Sequence, residues 1–197
     1  MVSDNITGPA PMMRDVPIES TGASKYQTPA KAEAAVARLE AQFTELFFEV
    51  RRFRDEVTIY VPREHIVAVA TFLRDDEELR YNYLSDLTGN DWPEREPRFE
   101  VIYHLYSMLH FTRLRLKVRV PESECICPSV TSVWGTANWH EREVFDMFGI
   151  DFEGHPSLRR ILLPEEWEGN PLRQDYDISW EEPEFTVRKV QREYAKG

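Results

Sequence analysis

Apolar residues recur at helical spacing near the start of the chain and alternate with polar residues in its middle. The first pattern is one apolar stripe with intervals of three and four residues: Ala32, Val36, Leu39, Phe43, Leu46 or Phe47, and Val50. Thr28 can cap this helix, with Pro29 at the first helical position. Arg51, Arg52 and Arg54 would then lie in the last turn, where the helix dipole favours cations. We therefore predict a long first helix from Pro29 to about Arg54.

The next segments indicate a strand, a helix and a connection. Residues 57–61 predict a strand that ends at Pro62, and residues 63–74 predict a helix with one buried apolar face. The connection covers residues 75–97 and contains turn residues such as Gly89, so a short strand around residues 81–84 is its only candidate element.

A strict alternation of apolar and polar residues then predicts two strands, at residues 99–106 and 113–120, close enough to form a hairpin. The order of elements predicts an α+β fold, in which helices cover one face of a mostly antiparallel sheet. The polar side of the last strand carries Arg113, Arg115, Lys117 and Arg119. We interpret this side as a solvated face, and the alternative is a contact with an acidic partner.

A third helix is predicted after residue 128. Val130, Val133 and Trp134 form a short apolar face, and Asn138 has the spacing of an N-cap for a helix that ends at Phe148. Gly149 can then supply a left-handed C-terminal cap.

The segment after Gly149 is apolar and aromatic but cannot form a long helix. It is interrupted by Gly154, Pro156, Pro164, Gly169 and Pro171. Large apolar side chains on irregular backbone need a surface that the segment does not supply itself. That surface is either the preceding domain or another protein.

The chain therefore divides into four parts. Residues 1–28, rich in Pro, Gly, Ser and Thr, predict an extended or disordered N-terminal arm. Residues 29–127 form the α+β domain, and residues 128–149 form a helical segment with a Glu-Arg-Glu motif. Residues 150–197 form a long, irregular C-terminal extension.

The net charge of −11 excludes several classes of partner. The acidic excess is concentrated after residue 120, whereas a nucleic-acid binder needs cations to neutralise phosphate. Direct attraction to an anionic membrane is disfavoured for the same reason. The sequence contains no run of eighteen apolar residues and no signal-peptide pattern at its start. We expect a chain that folds in the cytoplasm and reaches a membrane only by holding a partner.

The residues that could carry chemistry match no known catalytic or metal site. Cys125 and Cys127 are the only cysteines, and their spacing without further ligands favours two reduced thiols. His140 and Glu141 begin a zinc-protease motif, but its second histidine is replaced by Val144. We predict no catalytic, cofactor-binding or metal-binding residue in this chain.

One group of charges, Glu141, Arg142, Glu143 and Asp146, is unusual in the third helix. Arg142 and Asp146 are four residues apart and can pair along the helix. The aromatic residues around them indicate partial burial, where charges need complete pairing. We interpret the group as structural, fixing the start of the extension, and proton transfer is the alternative.

A longer motif joins this helix to the extension. It contains, at fixed spacing, Glu141-Arg142-Glu143, Asp146-Met147-Phe148, Gly154-His155-Pro156, Arg159, Ile161-Leu162, Pro171-Leu172-Arg173 and Asp175-Tyr176. The motif resembles the C subunit, or thirty-kilodalton subunit, of complex I, the proton-translocating NADH:quinone oxidoreductase. Leu87-Thr88 before Asp91-Trp92 matches this family more loosely.

The resemblance implies a non-catalytic subunit of the hydrophilic arm of respiratory complex I. Its extension would wrap the quinone-reducing D subunit, and other hydrophilic-arm subunits would be further partners. NADH, flavin, iron–sulfur clusters and quinone would belong to the assembled complex, not to this chain. The complex would place the chain at the cytoplasmic face of the cell membrane.

The resemblance also implies which residues form the family motif and the partner interface. They are Glu141, Arg142, Glu143, Asp146, Phe148, His155, Arg159, Arg160, Trp167, Arg173, Asp175 and Tyr176. Two positions depart from the family, since Asn170 stands where His is frequent and Gln174 where Lys or Arg is common. The same type of subunit occurs in plastoquinone reductases and membrane-bound hydrogenases, which remain alternatives. A free-standing interaction domain, with the extension folded on its own core, is the rival from another class.

Overall fold

The computed structural model describes residues 30–46, 48–54 and 56–177. The helices are α1 (Ala30–Gln42), α2 (Ile66–Asp75) and α3 (Ala137–Phe148), and the strands are β1 (Glu49–Phe53), β2 (Glu56–Tyr60), β3 (Tyr83–Asp91), β4 (Phe99–Ser107), β5 (Thr112–Val120), β6 (Ile126–Pro128) and β7 (Asp151–Glu153). Short 3₁₀ turns occupy residues 63–65 and 122–124. The predicted arm at residues 1–28 and the end of the extension lie outside the described residues.

Five strands form one sheet in the order β1-β2-β5-β4-β3. Strands β2 and β5 pair in parallel and the other neighbours pair antiparallel; the central β4–β5 hairpin pairs Tyr103 with Leu116 and Ser107 with Thr112. The alternation of β5 is seen directly as burial, since Leu114, Leu116 and Val118 are buried. The predicted α+β fold with a mostly antiparallel sheet is therefore confirmed.

The helices α1, α2 and α3 contribute their apolar side chains to one continuous core on the inner face of the sheet. Helix α3 packs most closely on β3, where Gly89 makes room for it. A Cβ atom at Gly89 would lie 2.7 Å from the ring of Phe148. This close approach fixes α3, and with it the start of the extension, against the edge of the sheet.

The predicted first helix is too long. Helix α1 ends at Gln42, and residues 49–53 form β1, which pairs antiparallel with β2. Val50 packs against the core from a strand, so the apolar position was predicted correctly and its element was not. Arg51 and Arg52 lie on β1, and Arg54 has a left-handed backbone with φ of 57°. Tertiary pairing with β2 outweighs the local helical pattern here.

Three further boundaries differ from the predictions. Strand β3 runs from Tyr83 through Gly89 to Asp91, because pairing with β4 continues where turn residues indicated a break. Helix α3 begins at Ala137 after Thr136, so the predicted N-cap at Asn138 is wrong. The extension begins with strand β7, which pairs in parallel with β6 and was not predicted. Among the described residues, no helix is both long and apolar enough to cross a membrane.

Candidate partner interface

Glu141 is buried inside the domain at the first turns of α3. Its carboxylate accepts hydrogen bonds from the Ser129 hydroxyl and the Val130 N–H, each at 2.7 Å. Burial raises the pKa of Glu141 to about 7, although these two donors oppose the shift. Glu141 therefore joins the segment before α3 to the helix and does not face a partner.

Arg142 reaches the extension. Its Nε donates to the carbonyl of Arg159 and its terminal nitrogen donates to the carbonyl of Arg160, each at 3.0 Å. The guanidinium also lies 5.3 Å from the ring centroid of Trp139. The predicted pairing of Arg142 with Asp146 is wrong, because Asp146 is taken by a cation and by backbone donors from the extension.

Asp146 is the main anchor of the extension and is completely buried. One carboxylate oxygen accepts from the guanidinium of Arg160 at 2.7 Å. The other accepts from three consecutive backbone N–H groups, those of Ile161, Leu162 and Leu163, at 3.0, 2.8 and 2.9 Å. Burial acts to raise the pKa of Asp146, but the N–H of Leu163, the guanidinium and the other two N–H groups together hold it below its ordinary value. The ionised carboxylate is thus built into the fold.

The end of α3 is also capped by the extension. Helices leave their last four carbonyls without internal partners. Here each one accepts a hydrogen bond: Phe145 from Gly149, Asp146 from Asn170, Met147 from Leu172, and Phe148 from Arg173. Gly149 has the predicted left-handed conformation, with φ of 71°. The extension therefore caps the C-terminal end of α3.

A second buried anchor joins the extension to the far end of β3. Arg98 forms a two-pronged ion pair with Asp91, with distances of 2.7 and 2.9 Å, and also pairs with Glu122 and Asp175. The N–H of Gln174 donates to the same Asp91 carboxylate at 2.8 Å. Hydrogen bonding to Asp91 raises the pKa of Arg98 above its ordinary range. Arg98 was not among the predicted residues, since nothing in its local sequence indicates partners so distant along the chain.

Three large apolar side chains remain exposed on this framework, which we call the extension surface. They are Trp139, Leu162 and Leu172, with exposed fractions of 62, 61 and 54%. Each lies on α3 or on extension residues that are hydrogen-bonded to α3. Exposed apolar groups on a fixed backbone are typical of a protein-binding surface.

The family whose model is described as "Respiratory-chain NADH dehydrogenase, 30 Kd subunit" matches residues 59–182. The chain belongs to this family. The match includes α2, strands β3 to β7, α3 and the anchored part of the extension, and it confirms the resemblance drawn from the motif.

Relatives support the same assignment to the 30-kDa family. The chain is 52% identical to the C subunit of NADH-quinone oxidoreductase from Roseiflexus sp. (strain RS-1) over 152 residues, which cover 77% of this chain and 87% of that one. It is 48% identical to the corresponding protein of Geotalea uraniireducens (strain Rf4) over 149 residues, which cover 76 and 90%.

Two solved structures share the fold. One is a trypsin-resistant fragment (1-134) of Nqo5, with 31% identity, a TM-score of 0.55, and coverage of 65% of this chain and 99% of that one. The other is a chain of a membrane-bound sulfane sulfur reductase, an archaeal respiratory membrane complex. It shows 26% identity, a TM-score of 0.64, and coverage of 75 and 86%.

The remaining motif residues of this member of the 30-kDa family have varied surroundings. The ring of His155 lies between the carbonyl of Asn138 and the N–H of Ser157, at 3.2 and 3.0 Å. Tyr176 packs against Gly169, and its hydroxyl donates to the carbonyl of Glu168 at 3.4 Å. The others range from buried to exposed: Phe148 is buried, Trp167 is half-buried, and the side chains of Glu143, Arg159 and Asp175 are exposed.

The two cysteines of this family member are free thiols. Cys127 is buried with its sulfur 3.4 Å from the Tyr103 hydroxyl, and burial raises the pKa of its thiol to about 12. A pKa this high keeps the sulfur protonated and unreactive at neutral pH. In the parts of the chain that the structure describes, no three His, Cys, Asp or Glu side chains are grouped to hold a metal ion.

The outer face of the sheet satisfies most of its own cations. Lys117 pairs with Glu100 at 2.9 Å, Arg119 pairs with Glu49 at 2.7 Å, and Arg115 pairs with Glu56. Because each of these three cations pairs with a carboxylate of this chain, none of them needs an acidic partner protein.

Proposed function

We propose that this chain is a structural subunit of the peripheral arm of NADH-quinone oxidoreductase and that its extension holds the quinone-reducing D subunit. The observation that carries this proposal is the extension surface. Trp139 is displayed to solvent by α3, Leu162 by backbone that the buried Asp146 carboxylate holds, and Leu172 by backbone bonded to the carbonyl of Met147.

The anchoring of the extension favours binding on physical grounds. A segment that is already ordered loses little conformational entropy when a partner packs on it. Burying large apolar side chains contributes about 25 cal/mol for each Å² removed from water. The apolar side chains of the extension surface therefore contact the partner, and the hydrogen bonds to α3 keep the backbone of the extension in the shape that binds.

Three of the charged motif residues act in folding under this proposal. Glu141 holds the segment before α3, Asp146 holds residues 160–163, and Arg142 holds the carbonyls of Arg159 and Arg160. Their donors and acceptors are engaged within the chain, which supports a role in position and not in proton transfer. NADH, flavin, iron–sulfur clusters and quinone would be bound by other subunits of the assembled enzyme, and those subunits would hold this chain at the cytoplasmic face of the membrane.

The free-standing alternative is favoured by one observation. The extension is hydrogen-bonded to its own domain as far as Asp175, as a self-contained domain requires. However, the free-standing alternative gives no role to the exposed side chains of Leu162 and Leu172. The likeness to a chain of the sulfane sulfur reductase complex shows the same fold in another respiratory membrane assembly.

Purification of the enzyme through a tag on this chain tests the proposal. Wild-type chain is expected to bring down the quinone-reducing partner together with NADH-dependent quinone reduction. Leu162→Ser with Leu172→Ser should lower the recovered enzyme at least about tenfold, while the melting temperature of the isolated chain is unchanged. Phe53→Ser, at an exposed aromatic residue on β1, is the matched control and should have no effect. Recovery of a tagged chain without other subunits would support the free-standing alternative.

A further inference from the structure

The loop between β4 and β5 carries a second group of exposed apolar side chains. Residues 108–111, the hairpin tip, expose Met108 by 55%, Leu109 by 61% and Phe111 by 77%. The loop is also bordered by Tyr83, which is 44% exposed. Large apolar side chains grouped in this way mark contact surfaces on soluble proteins.

Phe111 is unfavourable for the isolated chain in two respects. Its backbone has φ of 54°, a left-handed conformation that Gly and Asn adopt with much less strain than a bulky aromatic residue. Its ring gains little from burial, because most of it faces solvent. Phe111 therefore contributes little to the stability of the fold, and its exposed ring is suited to contact another molecule.

The hairpin tip is nevertheless well ordered by hydrogen bonds. The N–H of Phe111 donates to the carbonyl of Ser107 at 2.8 Å, which closes the loop. The N–H of Met108 donates to the side-chain oxygen of Asn82 at 3.1 Å, which ties the loop to the segment before β3. A tip held in this way can bind with little further loss of entropy.

Phe111 also borders an open cleft of about 650 Å³ on the outer face of the sheet, together with Tyr83 and Arg113. The other arginine of the cleft, Arg115, is paired with Glu56. Arg113 makes no ion pair with any carboxylate of the described residues. The cleft thus combines aromatic walls with Arg113, which has no ion-pair partner among the described residues. Of the two carboxylates that line the cleft, Glu56 pairs with Arg115 and Asp86 lies 3.7 Å from His140.

We propose that the hairpin tip and this cleft dock a segment of a second protein subunit that carries apolar side chains and a carboxylate for Arg113. The inference rests on the proposed function, which supplies the multi-subunit assembly. A lipid surface is disfavoured because the chain has a net charge of −11. A symmetric contact between two copies would bring two Arg113 side chains towards each other.

A photoreactive benzoylphenylalanine at position 111 of the tagged chain, irradiated in the purified enzyme, identifies the occupant. We expect capture of one other protein subunit, through a peptide that contains Asp or Glu. Arg113→Glu should lower the capture yield at least about tenfold, and reversing the charge of the captured carboxylate should restore it. Lys31→Glu, an exposed charge reversal on α1, should leave the yield unchanged. Capture of lipid alone, of a second copy alone, or of nothing would overturn the proposal.

Phe111→Asn separates binding from folding. Asn tolerates the left-handed backbone, so the isolated variant should melt at the same temperature as wild type or higher. The enzyme that contains it should lose the chain several-fold more readily at raised salt, whereas Phe53→Asn should behave as wild type. Equal retention of the chain in the Phe111→Asn enzyme would contradict the docking role. If the tagged wild-type chain recovers no enzyme, that result contradicts the proposed function itself and not only the docking role of the hairpin tip.

Discussion

The buried carboxylate of Asp146 and the guanidinium of Arg160, 2.7 Å apart, fasten the extension to the last turn of α3. Arg160 in turn donates to the carbonyls of Trp167 and Gly169, so the pair also organises the next turn of the extension. Two residues that are 14 positions apart in the chain therefore fix the shape of the extension surface.

Asp146→Asn is expected to destabilise the chain by about 3–5 kcal/mol, because it leaves the Arg160 cation and three backbone N–H donors without a charged acceptor. Urea denaturation measures the loss, and hydrogen exchange should show residues 160–163 opening first. Asp151→Asn, at an exposed acid on β7, should change stability by less than about 0.5 kcal/mol. The anchor role is wrong if the two variants are equally stable. The pKa of Asp146 is held below its ordinary value, so its stabilisation is present above the unfolded pKa and is lost as pH falls through the folded one.

Gly149→Ala should destabilise the helix cap by about 1–2 kcal/mol, because φ is 71° and the new Cβ would lie 2.6 Å from the side-chain oxygen of Asn170. Gly135→Ala is the control, since no atom lies within 4 Å of the position of its Cβ. Thermal unfolding of both variants measures the difference. A tolerated Gly149→Ala would mean that Asn170 does not hold the end of α3.

Glu141→Gln tests the buried carboxyl group through pH. Burial raises the pKa of Glu141 from 4.5 to about 7, so between these values the native state holds a proton that the unfolded state releases. The free energy of unfolding therefore falls as pH rises through that window, and Gln removes this dependence. Relative to wild type, the variant should gain up to roughly 3 kcal/mol between pH 4.5 and 8. Denaturation curves at four pH values measure the gain, with the exposed Glu143→Gln as control; parallel profiles for Glu141→Gln and wild type would exclude a shifted group.

Arg142→Ala removes two hydrogen bonds to the carbonyls of Arg159 and Arg160, and should cost about 1–2 kcal/mol. This cost is smaller than that of Asp146→Asn, because Arg142 is not the partner of a buried charge. Arg142→Lys should recover part of it, since one ammonium group cannot span both carbonyls as a guanidinium fork can. Exchange rates at residues 159–163 and denaturation midpoints decide the order, with Arg159→Ala as the exposed control. A larger loss for Arg142→Ala than for Asp146→Asn would reverse the assignment.

The elements predicted correctly are those whose own sequence determines them. The alternation of residues 113–120 gave β5 and its inner face, and Gly149 gave the end of α3. The helix predicted through Leu46 and Val50 was wrong, because Val50 pairs with β2 from strand β1 and Leu46 lies in the connection before that strand.

The sequence identified the unusual charges of α3 but not their contacts. Glu141 and Asp146 were recognised as unusual charges, but their partners come from Ser129 and from Arg160, which no rule of helical spacing can supply. Asp146 pairs with Arg160 and not with Arg142, because the extension supplies three backbone N–H donors to the Asp146 carboxylate together with the Arg160 guanidinium. The Asp91–Arg98 anchor depends on β3 lying beside β4, and the sequence pattern predicted β4 but assigned most of β3 to a connection.

Equilibrium binding of the isolated chain to the purified quinone-reducing D subunit is the most direct test of the central claim, that the extension surface holds this partner. We expect the wild-type chain to bind and the Leu162→Glu, Leu172→Glu double variant to bind at least about tenfold more weakly, with unchanged thermal stability. Phe53→Glu should bind as wild type does. Equal affinity of the double variant and the wild type, or no binding by a folded wild-type chain, would contradict the account.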